Sequence, residues 1–176
     1  MAGSTIPHKS ACHIHFLIQP VLVWSQNATA LLSGACKRLY VEQEEKCLVG
    51  SVVASLIQTP VFAWQSEYDH DQRGCEMTTA CAASTSCINA YGANLTSAML
   101  SQLISSSSHH SGVNGAFLDS CTRHCTGAGP TWPSGTVGLQ IDGENPLQAL
   151  ASWYLGGRRR LWQQGREFPC ASCCGK

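Results

Sequence analysis

The spacing of apolar residues alternates along the chain between strand-like and helix-like patterns. Residues 59–66 are apolar on both alternating faces, which is typical of a strand buried between layers of helices. Residues 115–120 form a second short run of this kind. Apolar side chains at helical spacing follow each run, in residues 94–104 and 145–155. The pattern therefore predicts the order β, α, β, α, the closing portion of a parallel sheet flanked by helices.

An acid and a histidine follow the two predicted strands. Asp69 comes directly after the first run, and His124 lies on the loop that leaves the second. In an open parallel sheet, the loops beyond the carboxyl ends of the strands present the reacting side chains. This order, an acid and then a histidine, is also that of the last two members of an α/β-hydrolase triad. The alternatives are an aspartate that only forms a turn and a histidine that only makes a hydrogen bond.

Several short motifs support the hydrolase interpretation. They are Asn27-Ala28-Thr29, Gln58-Thr59-Pro60-Val61-Phe62, Tyr68-Asp69-x-x-Gln72, Ser120-Cys121-x-x-His124-Cys125, Ala151-Ser152-Trp153-Tyr154 and Pro169-Cys170-x-x-x-Cys174. In these motifs the chain resembles the C-terminal part of the pectin acetylesterase family, which includes the Notum-type carboxylesterases. The resemblance implies the C-terminal portion of an α/β-hydrolase fold with disulfide-stapled loops. It also implies that Asp69 and His124 are catalytic, and that the substrate is an acetylated, pectin-like polysaccharide or another acyl ester.

The chain departs from the family pattern at two points. Plant members usually have tryptophan where this chain has Asp71. The larger departure is that no serine lies in the Gly-x-Ser-x-Gly frame that presents the nucleophile, and the glycine-rich oxyanion segment is absent too. Acyl transfer depends on both groups. We therefore expect a chain that descends from carboxylic ester hydrolases but is inactive by itself. The sequence does not decide whether the chain is an enzyme. The alternative is a secreted, non-catalytic protein that binds a glycan or a protein partner.

The first residues do not fit the family pattern. Residues 16–24 resemble the apolar core of a signal peptide, but Gln19-Pro20 interrupts this core. We assign residues 1–25 to a mis-started or signal-like segment outside the fold. Residues 26–176 are expected to form the C-terminal portion of a pectin-acetylesterase-like α/β-hydrolase domain.

Composition narrows the possible partners and the compartment. Eleven Lys and Arg balance eleven Asp and Glu, which argues against a nucleic-acid partner. No apolar run approaches the twenty residues of a membrane span, and we expect no cofactor. Eleven cysteines and two N-glycosylation sequons, at Asn27 and Asn94, are typical of a secreted, extracellular or cell-wall protein.

Cysteine spacing does not fix the disulfide pairing, but it suggests candidates. Cys36 with Cys47 and Cys75 with Cys81 are plausible local pairs, and Cys121 or Cys125 could pair with the tail cysteines, such as Cys170 and Cys174. The odd count leaves one cysteine over, for which Cys12 and Cys173 are the candidates. A zinc site is the alternative, and its ligands would come from Cys121, His124, Cys125, Cys170 and Cys173. Stapling is the preferred interpretation, and we expect no metal.

Overall fold

The structure, a computed structural model, describes residues 32–48, 52, 56–57, 59–104, 113–124 and 138–174. The chain divides into two compact units, residues 1–58 with 74–76 and residues 59–73 with 77–176. The segment 1–25, Asn27, Cys12 and Cys125 lie outside the described residues. None of the helices in the described ranges is long and apolar enough to cross a membrane.

In the first unit, a disulfide joins two short helical segments. Helix α1 (Gly34–Leu39) is followed by a 3-10 turn (Glu44–Leu48). Cys36 and Cys47 form a disulfide between them and both are buried. This confirms the local pair expected from the sequence.

The second unit is built on three parallel strands in the order β1-β2-β3. Strand β1 (Phe62–Ser66) pairs with β2 (Gly115–Asp119), and β2 pairs with β3 (Leu161–Gln163). All five residues of the central strand β2 are buried, as expected for a parallel strand covered on both faces. The α/β class is confirmed. Strand β3 was not predicted, because three residues after an arginine cluster carry no readable strand pattern.

Helices fill the connections between the strands. They are α2 (His70–Glu76), α3 (Thr79–Ala82), α4 (Thr85–Met99), which continues as a π-helical turn (Leu100–Ile104), and α5 (Pro146–Tyr154). Helix α5 begins as its sequence indicated, because Asn145 and Gln148 form a reciprocal capping box before a proline in the first turn. Helix α4 begins nine residues earlier than the predicted residue 94, at Thr85.

Two apolar clusters fix the positions of the strands. One cluster consists of Phe117, Cys121, Leu139, Ile141, Ala149 and Trp162, and the other of Tyr68, Met77 and Ile88. Gly115 is the first residue of β2, and two neighbouring aromatic rings leave no room for a side chain at this position. A Cβ there would lie 2.7 Å from the Phe62 ring and 2.8 Å from the Trp153 ring. Only glycine lets these two aromatic rings cover the start of the central strand.

The disulfides of the second unit correct two of the cysteine predictions. The pairs are Cys81–Cys87, Cys121–Cys174 and Cys170–Cys173. The predicted pair of Cys75 with Cys81 is wrong, because a short link between α3 and α4 brings Cys81 to Cys87; Cys75 is disulfide-bonded elsewhere. Cys173 is not the unpaired cysteine. The pairing of Cys121 with a tail cysteine is confirmed.

The zinc alternative fails for the same reason. Three of the proposed ligands are disulfide-bonded: Cys121, Cys170 and Cys173. A disulfide sulfur is not a thiolate, so it cannot bind zinc as a ligand. Within the described ranges, no group of three or more His, Cys, Asp or Glu side chains could hold a metal ion.

Candidate active site

The carboxyl ends of β1 and β2 continue side by side into the loops that carry the candidate acid and base. Backbone N–H groups after β1 donate to carbonyls after β2, in the pairs Glu67 to Asp119 (2.7 Å), Tyr68 to Cys121 (3.1 Å) and His70 to Thr122 (3.2 Å). This ladder extends the parallel pairing past the strands. Asp69 and His124 are therefore brought together by backbone geometry, although 55 positions separate them in sequence.

Asp69 has two structural roles at once. Its Oδ1 atom accepts hydrogen bonds from the backbone N–H groups of Asp71 (2.9 Å) and Gln72 (3.1 Å), so it caps the N-terminus of α2. Its Oδ2 atom lies 2.8 Å from Nδ1 of His124. The side chain is only 7% exposed. A helix N-terminus and backbone donors both stabilise a negative charge, which suits a carboxylate that must orient a histidine.

His124 has one ring nitrogen on Asp69 and the other on the exposed side of the site. The carboxylate accepts a hydrogen bond from Nδ1–H and so fixes the tautomer of the neutral ring, leaving Nε2 as its basic nitrogen. The hydrogen bond with Asp69 raises the pKa of His124. Partial desolvation opposes this rise, and the charges of Asp69 and Asp71 add to it. The imidazole is 38% exposed, so a reacting group could approach it.

The C-terminal tail (residues 164–174) holds the loop that carries His124 (residues 120–124, the histidine loop) in place. The Cys121–Cys174 disulfide ties the loop to the tail, and the guanidinium of Arg123 donates to the carbonyl of Cys174. Ser120 is held from both sides, because its N–H donates to the side-chain carbonyl of Gln164 and its hydroxyl accepts from the N–H of Arg166, each at 2.9 Å. A histidine held in this way keeps its position, which a general base would require.

Two buried carboxyl groups, Glu67 and Asp119, hold the ends of β1 and β2 through hydrogen bonds. Neither was predicted from the sequence. Glu67 accepts hydrogen bonds from the hydroxyls of Thr96 (2.9 Å) and Ser120 (2.8 Å). Asp119 accepts from the indole N–H of Trp64 (2.8 Å) and the backbone N–H of Cys121 (3.0 Å). Burial raises the pKa of both groups, and these donors oppose the rise. Their only sequence signal is a position directly at or after a strand end.

No serine of the described part hydrogen-bonds to His124, whose Nε2 instead lies 3.4 Å from Oδ2 of Asp71. A cavity of about 630 Å³ lies in the second unit beside α4 and is lined by residues that include Glu67, Thr96 and Arg166. Neither Asp69 nor His124 lines this cavity. The candidate chemistry therefore lies at the exposed strand ends and not in the cavity.

The site and its surroundings can be compared with known proteins. A family model described as pectinacetylesterase matches residues 12–175, nearly all of the 176 residues of the chain. This match begins inside the segment 1–25 that the sequence analysis placed outside the fold. No curated protein and no solved structure matches the chain. Because the family model covers far more than half of the sequence, the chain belongs to the pectinacetylesterase family, a lineage of carboxylic ester hydrolases.

Proposed function

We propose that Asp69 and His124 are the acid and the base of an ester-hydrolysis site in this chain. The observation that carries the proposal is the 2.8 Å contact of Asp69 Oδ2 with His124 Nδ1, at the ends of two adjacent parallel strands. Membership in the pectinacetylesterase family supports the same assignment.

In the mechanism that this pair supports, Asp69 keeps the imidazole oriented and stabilises its charged form. Nε2 of His124 takes the proton of a serine hydroxyl as that oxygen attacks the ester carbonyl. The imidazolium then returns the proton to the leaving alcohol. The substrate is an acetyl ester of a pectin-like polysaccharide. Water that gives its proton to Nε2 of His124 then attacks the acetyl-serine, which releases acetate and restores the serine hydroxyl.

The sequence supplies no serine in a Gly-x-Ser-x-Gly frame, and we infer that the 176-residue polypeptide is inactive by itself. A His–Asp pair without a nucleophile and oxyanion donors lacks the two main contributions to acyl transfer. Disulfides in both units and the exposed position of Asn94 on α4 support a secreted, glycosylated protein of the cell wall.

Acetate release from acetylated pectin tests the proposal, with p-nitrophenyl acetate as a second substrate and the His124→Ala variant as control. We expect both proteins to stay near the uncatalysed rate. Robust turnover that His124→Ala abolishes would show that the chain does contain a nucleophile. Turnover that His124→Ala leaves unchanged would contradict the assignment of the base. Tight binding of pectin fragments without turnover would favour the non-catalytic alternative.

The protonation state of the ring tests the acid–base pair directly, without any need for activity. Long-range ¹H–¹⁵N spectra above the titration midpoint should show the neutral His124 ring protonated on Nδ1. A neutral ring protonated on Nε2 would mean that Asp69 does not orient it.

A further inference from the structure

Both ring nitrogens of His124 face carboxylates. Nδ1 lies 2.8 Å from Asp69 Oδ2, and Nε2 lies 3.4 Å from Asp71 Oδ2. The two acids belong to one short stretch, since Asp69 caps α2 and Asp71 stands in its first turn. The cap therefore positions the second carboxylate as well as the first.

Asp71 disfavours the role of His124 as a general base, which Asp69 supports. A carboxylate only accepts hydrogen bonds, so acids at both nitrogens match a ring that carries a proton on each. A general base, in contrast, needs Nε2 free of a proton and open to the reacting hydroxyl. In the observed arrangement, the same atom that would take the proton is paired with a negative charge.

We propose that Asp71 pairs with Nε2 of His124 and favours the doubly protonated ring, so that Nε2 is less available as a base while Asp71 stays paired with it. The role as base rests on the function proposed above. Asp71 is thus a positioning residue that lowers the fraction of His124 able to accept a proton.

The structure also offers Asp71 a second partner. Its Oδ1 atom lies 2.9 Å from Nε2 of His70, whose Nδ1 lies 2.8 Å from the Thr122 carbonyl. The rings of His70 and His124 are 6.3 Å apart, and Asp71 bridges them. Because Asp71 is 53% exposed, it can turn away from His124 and remain paired with His70.

The other charged groups near the ring are consistent with this assignment. On α2 and its cap, Asp69, His70 and Asp71 face His124. On the histidine loop, Arg123 directs its guanidinium to the Cys174 carbonyl. The charge of Asp71 is among the causes that raise the pKa of His124.

An NMR titration of His124 in the full chain tests the proposal. Asp71→Asn should reduce the proton affinity of His124 roughly two- to fivefold, the size of an exposed ion pair. Asp71→Glu keeps the charge and should restore most of the affinity. Asp142→Asn is the matched control, because Asp142 is also exposed but pairs with Arg159 at 2.6 Å. An equal titration midpoint in Asp71→Asn and Asp142→Asn would overturn the proposal.

Salt gives an independent measurement on the unmodified protein. Raising the ionic strength screens an exposed pair, so the His124 midpoint should fall with salt in the wild type and fall less in Asp71→Asn. If Asp71→Asn does not fold, a salt-independent wild-type midpoint still overturns the proposal. A midpoint that responds to Asp69→Asn but not to Asp71→Asn would reject the role proposed for Asp71 and leave the acid–base pair in place.

Discussion

Two pairs of ionisable groups lie at the ends of the same two strands, and only one of the pairs includes a side chain that solvent reaches. Glu67 and Asp119 are buried and receive hydrogen bonds from hydroxyls, an indole and a backbone amide. Asp69 and His124 follow a few residues later; Asp69 is buried too, but His124 is 38% exposed and opens this pair to solvent. The buried pair, Glu67 and Asp119, holds the strand ends together, and the outer pair, Asp69 and His124, is the proposed acid–base pair. After the end of β1, Glu67 and Asp69 are only two positions apart in the sequence.

The largest expected effect comes from cutting the tie between the histidine loop and the tail. Replacing both Cys121 and Cys174 by alanine should lower the free energy of unfolding by about 2–5 kcal/mol, because their bond closes a long stretch of chain. The control replaces Cys170 and Cys173, whose bond closes only a three-residue separation, and should have a smaller effect. Denaturant unfolding measures both. Equal losses would mean that the tail does not secure the loop.

The buried pair should be more sensitive to truncation than any exposed acid. Asp119→Ala leaves the buried donors of Trp64 and Cys121 without an acceptor, at a cost of about 2–4 kcal/mol in the free energy of unfolding. Asp142→Asn, at an exposed acid whose left-handed φ of 52° asparagine tolerates, should change it by less than about 0.5 kcal/mol. Denaturant melts of the two variants give the comparison. A mild Asp119→Ala would show that the strand ends do not depend on this carboxyl.

The stability contributed by the buried pair should depend on pH through Glu67. Burial raises the pKa of Glu67 in the folded protein, so the folded protein binds this proton more tightly than the unfolded chain does. The stability that this contributes is full below the ordinary value of 4.5 and is lost as the pH rises through the raised value. Glu67→Gln should therefore become more stable relative to the wild type as the pH rises from 4 to 7. A difference that stays constant with pH would contradict the raised pKa.

The smallest expected effect on stability belongs to the outer pair. Asp69→Asn keeps an oxygen that can cap α2, and asparagine caps as well as aspartate, so above the titration midpoint of His124 the free energy of unfolding should change by less than about 0.5 kcal/mol. The charge is lost, however, and the proton affinity of His124 should fall more than it does in Asp71→Asn. Unfolding and the NMR titration together check this. A large loss of stability with an unchanged titration would make Asp69 a structural residue only.

The sequence predicted those parts of the fold in which local pattern and final position agree. Strands β1 and β2 lie within the predicted apolar runs, and α5 (Pro146–Tyr154) lies within the predicted range 145–155. The first half of α4 carries small and polar residues with little apolar periodicity, and β3 is set by pairing with a distant strand. Neither could be read locally.

The site shows the same limit. Chain order and motif selected Asp69 and His124, because both follow apolar runs. The burial of Glu67 depends on which way its side chain leaves the strand end, and the contact of Asp71 with Nε2 depends on how the histidine loop lies. The wrong pair of Cys75 with Cys81 has a similar origin, since helix boundaries decide which sulfurs meet.

The bond between Cys121 and Cys174 also sets an order of events during synthesis. The histidine loop emerges from the ribosome well before its partner, because Cys174 follows Cys121 by 53 positions. Until that residue has been synthesised and oxidised together with Cys121, the covalent tie cannot form. In a growing chain the candidate base is therefore among the last features to be locked, which leaves it unsecured while the sheet beneath it assembles.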